Sequence, residues 1–353
     1  MTTATLTPLS NYKLTADDVT LDSVHIKFKG ASWITGSVKG GYIDNFTLAN
    51  SVVSGFEDKP GDWPWNENWG ARVFNMRDGL VTDSIFRNIE KEHGWYMSRA
   101  GNFRFLRCLF QDIGSQGIQD AQREMDLIGG RADNVACLLE ILQCKFERCA
   151  TTWGRRQSWN VSIFAFDENL REWYPDGPLI LTAQGNPQKG HLVRSLTDVV
   201  IAGCDFSGNG YPHIASGNRD CDSTGAILVQ DRWNLVVRRC SFNFERPDRE
   251  TIQIRNVEDA IVSDCTFAPG NDIVLHNMDN CHVTIQNCTG DGWIRRRVLG
   301  SHTTTKLAPI SACTLAVYAG HVAIARQKAH SSLLGFGLRW SRCHFSIGTS
   351  GCP

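Results

Sequence analysis

The chain contains 353 residues, of which 42% are hydrophobic and 21% are charged, and its formal net charge is −1. A nucleic-acid-binding domain usually carries a basic patch, and this sequence has no basic run, which argues against a nucleic-acid partner. The length exceeds that of a usual single core, a limit that repeat proteins avoid by growing along one axis.

The N-terminal residues MTTATLTPLS lack the charged start and apolar core of a secretory signal peptide. Together with the 13 cysteines, this favours folding in a reducing cytosol, with later action outside the cell or as part of a virion. We assign residues 1–37 to an N-terminal segment with a first irregular repeat. Residues 1–16 do not predict a capping helix, so we expect a partner or an oligomer to cover the first strand edge.

A short pattern recurs along the chain: a small residue, any residue, then Phe. Its closest intervals, near 24 residues, mark a stack of repeats in which each unit buries its apolar face against its neighbours. The occurrences are Ser54-Gly55-Phe56, Ser84-Ile85-Phe86, Cys108-Leu109-Phe110, Cys144-Lys145-Phe146, Cys204-Asp205-Phe206, Cys240-Ser241-Phe242 and Cys265-Thr266-Phe267, and Cys288 continues the series without the Phe.

Each repeat also contains two stretches in which apolar and polar residues alternate, which is typical of strands. Residues 251–255 (TIQIR) and 260–265 (AIVSDC) form one such pair. The residues between them, 256–259 (NVED), predict a turn, because Asn and Asp tolerate left-handed backbone angles. Turns are predicted likewise at 231–234 and 277–280. We find no amphipathic helix between the strands, so the strands are expected to coil around one axis.

With these repeats, residues 38–290 resemble the right-handed parallel β-helix of the pectate-lyase-like proteins. The resemblance implies an all-β, single-stranded solenoid of about 8–10 rungs, in which equivalent residues stack about 4.8 Å apart. The cysteines from Cys108 to Cys288 would form one interior column, and the rings from Phe56 to Phe267 another.

Free cysteine packs as a small hydrophobe, so we expect the ladder cysteines to be packing residues. Disulfides between stacked neighbours are the alternative. No Cys pair has the C-x-x-C spacing of a metal site, so we predict no metal site and no cofactor. Calcium is left open, without a motif to indicate it.

The stretch 62–69 (DWPWNENW) holds three tryptophans in a segment too polar and too Pro-rich for a core strand. Trp63, Trp65 and Trp69 are therefore candidate substrate-binding residues, because exposed aromatic rings stack on the apolar face of sugars and tryptophan is enriched at binding surfaces. The alternative is a loop that folds over the end of the helix and buries these rings.

A second candidate group follows shortly afterwards. Glu92, His93 and Tyr96 bring a carboxylate, an imidazole and a phenol close together beside the stretch that contains Gln119. Such a group can perform acid–base chemistry. Equally, His93 could be a turn residue whose hydrogen bonds are all satisfied.

Period-2 alternation also predicts which residues point outward. One predicted outward column contains Phe74, Tyr96, Gln119, Ala165, Leu228, Gln253 and Val274; the next contains Met76, Ser98, Ala121, Asp167, Gln230, Arg255 and His276; and the first inward column contains Val73, Trp95, Ile118, Phe164, Ile227, Ile252 and Ile273. In the resembled fold, saccharides run along this outer face. The resemblance therefore implies catalytic roles for Asp167, Arg255 and His276 and substrate binding by Gln119, Gln230 and Gln253. Long loops would add Arg123, Asp220 and Asp222. A solvated strand face is the alternative.

The repeat is predicted to stop after Trp293. Residues 291–353 are assigned to a C-terminal cap, an oligomerisation segment or a tail foreign to the parent fold. Residues 307–326 are apolar, but their Pro, Gly and His residues argue against a membrane span.

Two enzyme chemistries are common on the resembled fold. A lyase removes the proton α to a uronate carboxylate, which requires a base and a cation; Arg255 with His276 or Tyr96 would serve. A glycoside hydrolase requires two carboxylates; Asp167 with Asp220, Asp222 or Asp231 would serve. The sequence lacks the paired-Asp and Gly-His-Gly signatures of polygalacturonases and the Asp-Pro-His run of alginate epimerases, which leaves a lyase or an unassigned activity.

Phage tailspikes and related virion proteins share the resembled fold without necessarily being enzymes, and many form homotrimers. The expected function is therefore a carbohydrate-active β-helix that binds, and as a lyase cleaves, an acidic polysaccharide along its outer face. The alternative is a tailspike or structural virion protein, homotrimeric in that case, that binds surface glycan.

Overall fold

The computed structural model describes residues 7–9, 12–27, 32–36, 43–55, 69–89, 93–114, 116–122, 138–149, 159–165, 179–181, 187–189, 195–207, 225–244, 249–276, 281–297, 304–318 and 321–326. Within these ranges the chain is almost entirely β-strand, and each strand of one rung pairs in parallel with its equivalent in the next rung. This is the parallel β-helix that the repeat predicts.

Three parallel sheets form the sides of the helix. The third sheet has ten short strands, in the order β1 (Thr7–Leu9), β4 (Val24–Lys27), β8 (Val52–Ser54), β10 (Ile85–Ile89), β12 (Leu109–Ile113), β15 (Lys145–Cys149), β20 (Asp205–Ser207), β22 (Ser241–Asn243), β24 (Thr266–Phe267) and β27 (Thr289–Gly290). Ten strands agree with the predicted number of rungs.

Four long strands bend around a corner and contribute to both of the other sheets: β9 (Trp69–Thr82), β11 (Trp95–Leu106), β21 (Gly225–Arg238) and β23 (Arg249–Ser263). The first sheet combines their N-terminal halves with β2 (Tyr12–Leu14), β5 (Ser32–Gly36), β13 (Ile118–Gln122), β16 (Trp159–Ala165), β25 (Asn271–His276) and β28 (Trp293–Arg297). The second sheet combines their C-terminal halves with β3 (Thr20–Asp22), β7 (Thr47–Ala49), β14 (Leu138–Leu142), β19 (Ser195–Ala202) and β26 (His282–Gln286), and β6 (Ile43–Asp44) pairs at the corner. The turns predicted at 231–234 and 256–259 therefore lie inside the continuous strands β21 and β23.

The interior of the third sheet confirms the predicted columns. The Phe rings stack nearly parallel with centroids 4.8–5.1 Å apart, in the order Phe86, Phe110, Phe146, Phe206, Phe242 and Phe267. The six ladder cysteines are free and buried, and the carbonyls of the five from Cys108 to Cys265 each accept a hydrogen bond from a backbone N–H of the next rung. Burial and neighbouring thiols raise the pKa of most of them; the hydrogen bond to Cys240, together with burial, raises the pKa of Cys265 to about 12.

One repeat is misplaced in the sequence prediction. Ser51, rather than Ser54, continues the cysteine column, because its carbonyl accepts from the Ile85 N–H and its own N–H donates to Ser84 Oγ. Val53 pairs with Phe86 and takes the place predicted for Phe56, which lies outside the described residues. Both Ser51 and Ser54 begin a small-x-apolar pattern, so the motif alone does not separate them.

The residue directly before each member of the serine and cysteine column has a positive φ, and the chain turns a corner there. The residues there are Asn50, Asp83, Arg107, Gln143, Gly203, Arg239, Asp264 and Asn287, with φ between 49° and 64°. Asn, Asp and Gly are expected at such angles. Arg107, however, adopts a φ of 52° while its Nε donates to Asp83 Oδ1 of the rung below at 2.6 Å.

The first sheet differs in register from the prediction at two rungs. Trp95 pairs with Ala71 instead of Val73, and Ile118 pairs with Val161 instead of Phe164. The stretch 161–166 (VSIFAF) allows two alternating patterns with apolar residues inside. Pairing with β21 selects the pattern that aligns Val161 with Ile227.

A buried ion pair crosses the interior of the helix. Arg232 Nη2 lies 3.1 Å from Asp120 Oδ2, and the side chains are 0% and 2% exposed. Burial raises the pKa of Asp120, although Arg232 opposes the rise. Removing one partner of such a pair would leave an uncompensated charge in the core.

The parallel pairing extends beyond residues 38–290 at both ends. Residues 12–14 already pair in parallel with 34–36, and β28 pairs in parallel with β25, so the repeat does not stop at Trp293. Antiparallel strands follow β28: β29 (Thr304–Pro309), β30 (Cys313–Tyr318) and β31 (His321–Arg326), with a 3-10 turn at Ile310–Ala312. A separate antiparallel pair joins β17 (Leu179–Leu181) to β18 (Pro187–Lys189). No helix in the described ranges is long and apolar enough to cross a membrane.

Candidate functional site

The outer face of the first sheet carries a column of polar side chains near the C-terminal end of the helix. Gln230, Arg255, His276 and Arg297 occupy equivalent positions on β21, β23, β25 and β28, paired in register from each strand to the next. We call these four residues the polar column. They point outward, because the residues before them on β21, β23 and β25 belong to the hydrophobic core.

Side-chain hydrogen bonds connect members of the polar column with each other and with the adjacent column. Arg255 Nη1 donates to Gln230 Oε1 at 3.2 Å. The Gln253 amide nitrogen lies 2.6 Å from His276 Nε2. An amide nitrogen only donates, so Nε2 is the acceptor and the neutral imidazole carries its proton on Nδ1. This contact orients the ring of His276.

His276 is a neutral base inside a cationic setting. Its side chain is buried, and burial together with Arg255 and Arg297 lowers its pKa from 6.5 to about 3. The imidazole is therefore uncharged at neutral pH, while a group with so low a pKa is a weak proton acceptor.

The outward column beside the polar column is largely uncharged. It reads Leu228, Gln253 and Val274 on successive rungs, followed by Arg295. Leu228 and Val274 are buried yet lie outside the hydrophobic core cluster. Gln253 is only 8% exposed. This part of the surface is therefore not the solvated strand face that was the alternative.

Arg295 at the end of that column has a carboxylate partner. Its Nη2 lies 2.5 Å from Asp272 Oδ2, and the other oxygen of Asp272 accepts from the Trp293 N–H at 2.7 Å. Lys306 of β29 places its Nζ 4.5 Å from the centroid of the Trp293 ring. An aromatic ring and two further cations thus border the C-terminal end of the face.

A second group lies several rungs closer to the N-terminus. The rings of His93 and Tyr96 stack with centroids 5.6 Å apart, and His93 Nδ1 accepts from the Gln116 N–H at 3.3 Å. Tyr96 pairs with Gln119 across the strands. All four side chains are buried. The contacts of His93 are those expected of a satisfied turn residue, and its catalytic role stays a prediction.

The structure brings together only part of the predicted site. Arg255, His276, Gln230 and Gln253 form one contiguous group, whereas His93, Tyr96 and Gln119 form another. The remaining predicted residues lie outside the described side chains: Asp167, Glu92, Trp63, Trp65, Arg123, Asp220, Asp222 and the side chain of Trp69. The register nevertheless corrects one position, because Phe164, and not Asp167, is paired with Gln230.

Sequence reasoning missed three residues of this surface: Trp293, Arg295 and Arg297. The signal was the alternation in 293–297 (WIRRR), in which Ile294 is the buried residue that pairs with Ile273. The predicted repeat ended one strand too early because Cys288 has no Phe after it. Among the described residues, no three His, Cys, Asp or Glu side chains converge as metal ligands would.

Solved structures that resemble this one include a bacterial surface adhesin and a phage protein. PfbA, a surface adhesin of Streptococcus pneumoniae, is 13% identical, with 87% of this chain and 68% of the adhesin chain covered and a TM-score of 0.49. ORF18 of Geobacillus virus E2 is 12% identical, with 92% and 59% covered and a TM-score of 0.34. Both likenesses are too distant to assign a ligand or an activity. The sequence matches no protein-family model and no curated protein.

Proposed function

We propose that the protein binds an acidic polysaccharide along the outer face of the first sheet, with the polar column as the centre of the site. The observation that supports this most directly is the in-register series Gln230, Arg255, His276 and Arg297 on four successive rungs. A chain-like ligand that follows the axis of the helix would meet the half-buried Gln230, Arg255 and Arg297, while His276 is buried between the two arginines.

The side-chain chemistry of the series suits hydroxyl and carboxylate groups. Guanidinium groups bind carboxylates through paired, charge-assisted hydrogen bonds. Gln supplies both a donor and an acceptor, which suits sugar hydroxyls. Arg255 and Arg297 are half-buried, so their charges are partly exposed while part of each side chain is already ordered. Ligand contact then costs less side-chain entropy than it would at a fully mobile arginine.

The same geometry favours binding over cleavage by the predicted lyase pair. Arg255 would neutralise a uronate carboxylate, as a lyase requires. His276 would have to remove the α proton, and an imidazole whose pKa is about 3 is poorly matched to that task at neutral pH. We therefore assign Arg255 to ligand binding, whereas the buried His276 supports the face between Arg255 and Arg297.

Binding of purified protein to immobilised polygalacturonate, hyaluronan and neutral dextran tests the proposal. We expect the two acidic polymers to bind, dextran not to bind, and affinity to fall as NaCl is added, because salt screens the arginine charges. Arg255→Gln should weaken binding about tenfold, the cost of one charge-assisted contact. Arg238→Gln is the matched control, since Arg238 is an exposed residue of the neighbouring strand β21, at its end in the second sheet.

Equal affinity of Arg255→Gln and the wild type would place the site on another face. Ultraviolet absorbance of unsaturated uronate products, followed in the same samples, separates binding from elimination. Their release by the wild type but not by His276→Gln would show that the imidazole takes part in elimination and would overturn its supporting role.

A further inference from the structure

We propose that the outer face of the second sheet is a self-association surface, on which a second copy of this chain packs face to face. This surface is separate from the polar column, and the inference does not depend on the proposed glycan site. It starts from the exposed apolar side chains. In the ranges that the structure describes, the exposed large apolar residues are Leu138, Trp233 and Ile261, at 36%, 44% and 42%. All three lie on strands that contribute to the second sheet.

The centre of this face is an uncharged column that crosses six successive strands. Its members pair in register from each strand to the next: Val200, Val236, Ile261, Thr284, Ala316 and Ala323. On the first five strands each member lies between two buried residues and therefore points outward. Ile261, Ala316 and Ala323 are exposed. A contiguous apolar strip on the surface of a soluble protein usually marks an interaction site.

The shape of the face suits a second sheet as its partner. The members of the column are small, so another sheet can approach to about 10 Å, the usual distance between packed sheets. Two-fold symmetry requires a surface that is complementary to itself, and a flat apolar strip meets its own copy in this way.

The area of the face is also sufficient for a dimer. The second sheet continues over seven strands from β14 to β31, a length of about 34 Å at about 4.8 Å per strand. Five residues across each strand give a width of about 17 Å. Two such faces in contact would bury about 1,100 Å² in total, whereas a specific protein interface needs roughly 1,000 Å².

The two margins of the face differ in charge. The margin beside the first sheet is acidic and reads, on successive strands, Asp198, Asn234, Asp259 and His282. The margin beside the third sheet is basic through one arginine and reads Ala202, Arg238, Ser263 and Gln286. The corner residues beyond the basic margin include Arg239 and Asp264, whose opposite charges cancel.

These margins are complementary when both copies point in the same direction along the helix axis. A two-fold axis parallel to the helix sets the acidic margin of each copy against the basic margin of the other. Arg238 of the second copy would then lie opposite Trp233, which occupies the other margin of the same strand and offers its ring to a cation. Asp198 and Asp259 lie one rung away on either side. Copies in opposite directions would instead bring the two acidic margins together, which is unfavourable.

Sedimentation equilibrium of the full chain over a wide range of concentration tests the inference. We expect the mass to rise from the 39.4 kDa of one chain toward twice that value. Ile261→Asp places a carboxylate at the centre of the apolar column and should raise the dissociation constant of the dimer at least about a hundredfold. Thr266→Asp is the matched control, because it adds the same charge to an exposed position of the third sheet. Circular dichroism shows whether each variant is folded.

A charge exchange tests the orientation of the two copies. Arg238→Glu should weaken the dimer about tenfold, because the new carboxylate faces the acidic margin of the other copy. Adding Asp259→Arg to this variant restores opposite charges across the contact and should recover part of the affinity. A double variant that associates no more tightly than Arg238→Glu alone would overturn the parallel orientation.

Three results would overturn the inference as a whole. These are a wild type that stays monomeric at every concentration, a trimer, and a dimer that Ile261→Asp does not weaken. The glycan site is tested separately, because Ile261→Asp should bind soluble acidic oligosaccharides with the affinity of the wild type. Arg255→Gln and Arg238→Gln can therefore be compared as monomers when each is combined with Ile261→Asp.

Discussion

The inside of the third sheet and the outside of the first sheet show opposite uses of the same rung-by-rung alignment. Inside the third sheet the same residues return at each rung, as in the stack from Phe86 to Phe267. Outside the first sheet each rung contributes a different side chain, as in the polar column. In a β-helix the backbone aligns equivalent positions in either case.

The difference follows from what each surface must satisfy. A close-packed interior has to fill the same volume at each rung, so one residue type that fits once fits again. The outer face has no such constraint on volume, and its side chains are free to differ in charge and hydrogen bonding. Repetition therefore indicates packing, and ordered variation indicates a candidate binding surface.

Breaking the phenylalanine stack at its centre should have the largest effect on stability. Phe146→Ala removes a buried ring between Phe110 and Phe206, whose centroids lie 5.0 and 4.9 Å away. We expect a loss of about 3–5 kcal/mol, the usual cost of a cavity of this size. Urea unfolding measures it, and the milder Phe146→Leu is the control. A loss near zero would show that the stack is not needed for stability.

The polar column should affect stability through pH rather than packing. The folded-state pKa of His276 is about 3 against 6.5 for the unfolded chain, so below pH 6.5 only the unfolded state gains this proton. The contribution of the neutral imidazole to the free energy of unfolding is fully present above pH 6.5 and is lost as the pH falls toward 3.

Urea unfolding at pH 7 and pH 4.5 tests this dependence. The wild type should lose up to about 2–3 kcal/mol through His276 between these two values. His276→Gln lacks the titrating group, so its loss should be smaller by that amount. His282→Gln serves as the control, since His282 is a partly exposed histidine of the second sheet. An unchanged pH dependence in His276→Gln would contradict the environment described for the imidazole.

The smallest effect on stability is expected when a cysteine of the interior column is replaced by serine, which has nearly the same size. Ser51 and Ser84 already occupy this column, and Ser84 Oγ donates to the Thr82 carbonyl at 2.8 Å. Cys240 Sγ donates to the equivalent Arg238 carbonyl at 3.4 Å. Cys240→Ser should therefore cost less than about 1.5 kcal/mol by urea unfolding, because the new hydroxyl finds the same partner.

Cys240→Leu provides the contrast for that measurement. Extra methyl groups would overpack the column and should cost about 1–3 kcal/mol. A serine variant less stable than the leucine variant would show that the thiol contributes more than its size.

Most of the interior could be predicted from the sequence, whereas less of the candidate site could. The motif that repeats from Ser84 to Cys265 identifies both interior columns, because identical residues at regular intervals have few alternative explanations. Around residues 161–166 two alternating patterns compete, and the wrong one placed Asp167 beside Gln230. Trp293, Arg295 and Arg297 were missed because their strand follows a rung that lacks the Phe.

The β-helix, the residues that fill its interior and the presence of Arg255 and His276 on one outward column follow from the amino-acid sequence alone. The register of each rung, the burial of His276 and the placement of Arg297 beside it are set by the folded structure. The physical reason is that interior packing depends on local periodicity, which the sequence displays directly. Charge spacing and pKa depend on residues that are distant in the chain and become neighbours only when successive rungs stack.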